Sequence, residues 1–144
     1  MARPLQVAVL VLAASVIAPV LLRAQGWSPP SRQMPSMPQA AAIDGGWVAS
    51  QGAWFAGVGD VSSLRAAASG ARGGVALQVR FTSTSTPVPV AVWSDRNGDG
   101  KSDMIEIYRR GTVAFQLIDA DYDGTANVVR EYDENGAFQR EIRL

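Results

Sequence analysis

At 144 residues the chain has room for one domain plus a leader, but not for two full domains. Its 13 Lys and Arg balance its 13 Asp and Glu, which argues against a nucleic-acid partner held by a basic surface. The absence of Cys and His removes disulfides, thiolate nucleophiles, imidazole bases and the usual zinc ligands. Only Asp44 and Asp60 precede residue 95, so the acidic chemistry belongs to the last third of the chain.

The first predicted element is a hydrophobic helix. Arg3 precedes an apolar run from Leu5 to Leu22, closed by Arg23, Ala24 and Gln25. A single positive charge, an apolar core broken near its end by Pro19 and a small residue at Ala24 are the parts of a secretory signal peptide over residues 1–24. Export to the periplasm or the outside follows. The alternative is an uncleaved anchor, because the run approaches the roughly 18–20 apolar residues that span a bilayer. Gln6, Ser15 and Pro19 interrupt it and favour cleavage. With no Cys to acylate, any membrane attachment would come through this leader. Residues 25–42 carry Pro29, Pro30, Pro35 and Pro38 among polar and small residues, a composition that predicts a disordered Pro-rich linker.

A single β-rich domain is expected over residues 43–144. Trp47, Trp54 and Phe55 are candidate core residues, with Gly45, Gly46 and Gly57 marking turns around short strand-like pieces. Ser63 to Ser69 reads as one or two helical turns, capped by Ser62 or Ser63 and stopped at Gly70. Val75 to Phe81 alternates apolar and polar residues, the period of a half-buried strand. Val88 to Ser94 is its expected hairpin partner, starting near Val90 because Pro87 and Pro89 cannot donate to a ladder.

The strongest signal begins at Asp95. In DRNGDGKSDMIE, side-chain oxygens fall at the first, third, fifth, ninth and twelfth places (Asp95, Asn97, Asp99, Asp103 and Glu106), with Gly100 at the sixth. This is the ligand spacing of a twelve-residue EF-hand loop, in which the Lys101 carbonyl would supply a further oxygen. Alternate side chains of a wrapped chain converge on one centre, and the clustered carboxylates repel each other unless a cation holds them. Two carboxylates about 5 Å apart repel by roughly 3 kcal/mol at an effective dielectric near 20. Calcium suits such a flexible oxygen set better than magnesium, which demands a tighter octahedron. A second copy, DADYDGTANVVR, places Asp119, Asp121, Asp123, the Thr125 carbonyl and Asn127 at equivalent positions. Its twelfth residue is Arg130, so this site would be weaker, would do without that ligand, or would have Arg130 in place of the ion. The alternative for either loop is a solvated Asp-Gly turn between strands.

Asp95 and Asp119 are 24 residues apart, as are Tyr108 and Tyr132, which marks two repeats over 95–118 and 119–144. Each reads as an acidic loop followed by a hairpin: MIEIY, RRG and TVAFQLI, then VVREY, DENG and AFQREIRL. A helix after Glu106 is disfavoured by the β-branched and aromatic content and by Gly111. The expected fold is therefore mainly β, an antiparallel hairpin meander with two EF-hand-like loops. Residues 95–144 resemble the DxNGDGxxDxxExY repeats of secreted and surface bacterial proteins, and are similar to the calcium loops of FG-GAP repeats. The resemblance rests on Asp95, Asn97, Gly98, Asp99, Gly100, Asp103, Glu106 and Tyr108, and on Asp119, Asp121, Asp123, Gly124 and Tyr132. It implies calcium binding and export without a particular activity.

The expected function is a noncatalytic, exported calcium-binding module with a structural or interaction role, facing an extracytoplasmic protein or glycan partner. Two alternatives stand beside it: a metal-dependent extracytoplasmic hydrolase using the acidic loops, and an envelope component held by an uncleaved leader.

Overall fold

The computed structural model describes residues 27–144; the leader expected over residues 1–24 lies outside them. Seven antiparallel strands form one sheet in sequence order: β1 (Leu64–Ser69), β2 (Leu77–Ser83), β3 (Pro89–Asp95), β4 (Met104–Arg109), β5 (Thr112–Ile118), β6 (Val128–Tyr132) and β7 (Phe138–Arg143). The protein is mainly β, a meander of successive hairpins. The four strands of the two repeats fall where the alternating segments predicted them. Pro89 sits at the first residue of β3, beside an irregularity between Phe81 and Thr82, so its missing N–H interrupts the ladder only at its end.

Register assembles the core. Val79, Trp93, Ile105, Leu117, Val129 and Ile142 face one another across successive strands, and Phe81, Ala91, Ile107 and Phe115 form the neighbouring row. Directly opposed residues share a face, so both rows lie on one side of the sheet. That side is covered by the chain preceding β1. The short helix α1 (Gly45–Ser50) brings Val48 and Trp47 down, and a 3-10 turn (Gly52–Phe55) brings Trp54 and Phe55. Trp93 is the centre of this layer, with ring centroids 5.0 Å from Phe81, 5.7 Å from Trp47 and 5.9 Å from Trp54.

Three expectations change. The pieces around Trp47 and Trp54 are helical rather than strand-like, because Asp44 Oδ1 accepts from the Trp47 amide at 3.0 Å and caps a turn that the flanking glycines would not start alone. Ser63 to Ser69 is not a helix: Leu64–Ser69 pairs along β2 from Leu64 opposite Ser83 to Ser69 opposite Gln78. Six residues cannot sustain an isolated helix, whereas the open edge of β2 offers partners for their backbone groups. Lastly, the described part of the Pro-rich segment is not a loose tether. Trp27, Met34 and Met37 are buried in the core cluster, and Trp27 Nε1 donates to the Trp54 carbonyl at 3.0 Å. Three apolar anchors spaced through a polar tract press an extended chain against the sheet.

Candidate metal centre

The two acidic loops connect β3 to β4 and β5 to β6, so both lie at the same end of the sheet. Asp95 closes β3, and the Asp103 amide donates to the Ser94 carbonyl at 2.7 Å, which pinches the first loop at its base. The second is pinched in the same way by the Asn127 amide on the Ile118 carbonyl at 2.9 Å. The Asp119 amide donates to the Asp103 carbonyl at 2.8 Å and ties one loop to the other.

Inside each loop the first aspartate is a hub. Asp95 Oδ1 and Oδ2 accept from the amides of Gly98 at 2.8 Å and Gly100 at 3.0 Å. Asp119 Oδ1 and Oδ2 accept from Asp123 at 3.3 Å and Gly124 at 2.7 Å. The fifth aspartate binds the amide of the seventh residue in both loops: Asp99 with Lys101 at 2.9 Å, and Asp123 with Thr125 at 2.8 Å. The ninth residue reaches back to the second, Asp103 Oδ2 to the Arg96 amide at 2.6 Å and Asn127 Oδ1 to the Ala120 amide at 3.0 Å. Asn97 Oδ1 accepts from the Asp99 amide at 3.2 Å. The backbone takes the left-handed region at equivalent places, φ 82° at Gly100 and 88° at Gly124, with 80° at Gly98 matched by 61° at Tyr122. A repeat seen in sequence is thus a repeat in hydrogen bonding.

Asp95, Asp99 and Asp103 bring one carboxylate oxygen each within 4.8 Å of one another, as do Asp119, Asp121 and Asp123. Each group could hold a metal ion. Asp103 is 1% exposed and Asp119 likewise 1%, so charge is held where water cannot screen it fully. Burial pushes the Asp103 carboxyl up from its ordinary range, and the charges of Asp99 and Asp95 push the same way, against the stabilising amides of Arg96 and Asn97. Burial also raises Asp119, aided by its contact with Asp121 and the charge of Asp123 and opposed by the Gly124 amide. Asp103 Oδ1 is buried with no hydrogen-bond partner among the described residues. An orphaned, buried anionic oxygen beside two further carboxylates fits a cation, which would satisfy it and offset the repulsion.

The seventh-position carbonyls fit as well. Lys101 and Thr125 each pair with the preceding chain as isolated antiparallel bridges, to Ser36 and Gln33 respectively. The bonds of these bridges are made by their neighbours, leaving the Lys101 and Thr125 carbonyls with no hydrogen bond among the described residues. Lys101 itself leans over the second loop, where a β-carbon on Gly124 would lie 2.9 Å from its Nζ.

The twelfth position departs from expectation. Glu106 is not part of the acidic group; it stands in β4 opposite Gln116, whose Nε2 donates to Glu106 Oε2 at 2.9 Å. A strand rises about 3.3 Å per residue, so it carries the residue away from the loop that a helix would have folded back onto. Arg130, its counterpart, pairs with Glu141 at 3.0 Å and does not neutralise the aspartates. The twelfth position therefore no longer separates the two loops. What the sequence did not reveal is the role of Arg32 to Met37 beside the loops, although two apolar residues three apart, Met34 and Met37, were the available signal.

Comparison of the chain with protein-family models, with curated proteins and with solved structures finds no match.

Proposed function

We propose that this protein is an exported, noncatalytic calcium-binding module in which two EF-hand-like loops lock one end of a β-meander and present it to an extracytoplasmic protein or glycan partner. The orphaned Oδ1 of buried Asp103, whose carboxylate groups with those of Asp95 and Asp99, carries the reading. Asp95, Asn97, Asp99, Asp103 and the Lys101 carbonyl are the proposed ligands of the first ion; Asp119, Asp121, Asp123, Asn127 and the Thr125 carbonyl are those of the second. An all-oxygen set with several carboxylates and a main-chain carbonyl favours calcium over softer metals. The likeness of residues 95–144 to secreted bacterial calcium-loop repeats supports the same reading, and the leader supports export. The acidic groups do not line the cleft around Arg109, Arg110, Thr112 and Tyr132 or the cleft around Val88, Tyr108 and Gly111. That placement favours a structural ion over a hydrolytic one.

The test is thermal. A site filled at about 100 times its Kd contributes about 2.7 kcal/mol by mass action. For a fold of this size that corresponds to a rise in Tm on the order of 10 °C. Calcium should produce it, chelator should reverse it, and Asp99→Ala should remove the first loop's share while leaving that of the second. A melting curve indifferent to calcium and chelator would sink the proposal.

A further inference from the structure

The chain segment ahead of α1 does something the loops alone do not explain. It runs across both of them in one extended pass and meets each at the same place. The Met34 amide donates to the Gly124 carbonyl at 2.9 Å and the Ala126 amide to the Arg32 carbonyl at 2.7 Å. Three residues further on, the Met37 amide donates to the Gly100 carbonyl at 2.7 Å and the Ser102 amide to the Pro35 carbonyl at 2.9 Å. The spacing has a geometric origin. Equivalent loops of the meander are two strands apart, about 9.6 Å at the usual 4.8 Å separation, and three residues of extended chain span about 10 Å. The sequence follows that pitch, with Arg-Gln-Met on the second loop and Pro-Ser-Met on the first. Arg32 adds a further clamp, its Nε and Nη2 donating to the Ala126 carbonyl at 3.1 and 3.0 Å.

The two edges of one short backbone stretch then have different partners. In the first loop, the Gly100 carbonyl and the Ser102 amide face this segment, while the Lys101 amide between them is turned to Asp99. In the second, Gly124 and Ala126 face it, while the Thr125 amide is turned to Asp123. Neighbouring peptide groups of an extended chain point in opposite directions, so whatever orders the carboxylate edge also orders the other edge.

We propose that residues Arg32–Met37 form an ion-dependent strap: calcium in the two loops fixes the backbone rail to which the strap is bonded, and loss of the ion releases the strap. The inference rests on the calcium reading above and adds its consequence, a conformational output at the start of the fold. The carboxylates repel once the ion leaves, the loops splay, and four main-chain hydrogen bonds lose their alignment together. The strap is then left with the apolar contacts of Met34 and Met37 and the Arg32 side chain, without its main-chain bonds, and β2 to β5 keep their core.

Hydrogen exchange on the intact protein, with calcium or with chelator, reads this directly. The amides of Met34, Met37, Ser102 and Ala126 should exchange at least about 10-fold faster in chelator, while core amides of β2 to β5 change little. Coupling is reciprocal, so Met34→Ala with Met37→Ala should weaken calcium binding by about 5-fold or more in calorimetry. Asp99→Ala in calcium should expose Met37 and Ser102, which meet the first loop, and Asp121→Ala should expose Met34 and Ala126, which meet the second; the two together should match chelator on the parent. If calorimetry shows calcium bound while strap exchange is the same with and without it, the strap inference falls and the calcium reading stands. If no calcium binds, both fall.

Discussion

Asp103 concentrates the physical problem of the site in one side chain. One oxygen is satisfied by two backbone amides, the other by nothing, and the group is buried beside two like charges. Without an ion, its folded-state pKa and that of Asp119 lie above the ordinary carboxylate value, so the folded state binds protons more readily than the unfolded chain. The sign follows from linkage: where the unfolded state binds fewer protons, stability falls as pH rises. In chelator these two carboxyls should therefore destabilise the fold progressively as pH climbs from about 4 towards neutrality, and Asp103→Asn should flatten that slope. On the proposed calcium reading, saturating calcium should reverse the preference by favouring the ionised form. Denaturation followed across this pH range, for parent and variant, checks the sign; a slope in chelator that Asp103→Asn leaves unchanged would refute the account.

At the scale of the strand, Glu106 shows how an element reassigns a residue. Spacing made it the twelfth ligand, but β4 begins at Met104 and carries it to a cross-strand position. There it accepts from Gln116 Nε2, while Gln116 Oε1 accepts from Tyr132 Oη at 2.7 Å, a brace between the two repeats. Glu106→Gln should consequently leave calcium affinity within about 2-fold, in contrast to Asp99→Ala, because a group outside the ion's shell has little differential effect on binding. Calorimetry on the two variants separates the roles, and a large loss with Glu106→Gln would return it to the ligand set. Only the Tyr recurs at the 24-residue period, as Tyr108 and Tyr132; the counterpart of Glu106 is Arg130, so the brace joins Glu106 of the first repeat to Tyr132 of the second through Gln116. At the far edge, Glu131 lies 3% exposed on the core face of β6, where Arg140 of β7 bonds it.

The described residues form a single sheet with one covered face, and Trp93 stands at the centre of that cover. That indole is fully buried among Trp47, Trp54, Phe55 and Phe81, yet its Nε1 finds no acceptor among the described residues. Trp93→Ala should cost about 3–5 kcal/mol by cavity formation. Trp93→Phe should cost much less, because removing an unsatisfied buried donor recovers about 1–3 kcal/mol of desolvation against the volume lost. Urea denaturation in saturating calcium measures both, and equal losses would mean that the indole N–H is satisfied in solution. Since the strap and both loops sit at one end of the sheet, the core variants should lower Tm without abolishing calcium binding at temperatures where the protein is folded.

Residues 95–144 were legible because their order comes from nearest neighbours: alternation sets the strands, Gly111 and Gly136 set the tight turns, and alternate aspartates in a wrapped loop converge without help from elsewhere. The 24-residue period carried both acidic groups into view. Tertiary structure alone decided the rest, where the deciding partner is distant in sequence. Leu64–Ser69 became a strand because β2 offered an open edge, α1 formed where Asp44 capped it, and Glu106 left the ion loop when its strand joined β5. Most of all, Trp27, Met34 and Met37 lie in a stretch whose composition is that of a linker, and the apolar face and the two backbone rails it meets, all distant in sequence, hold it in place.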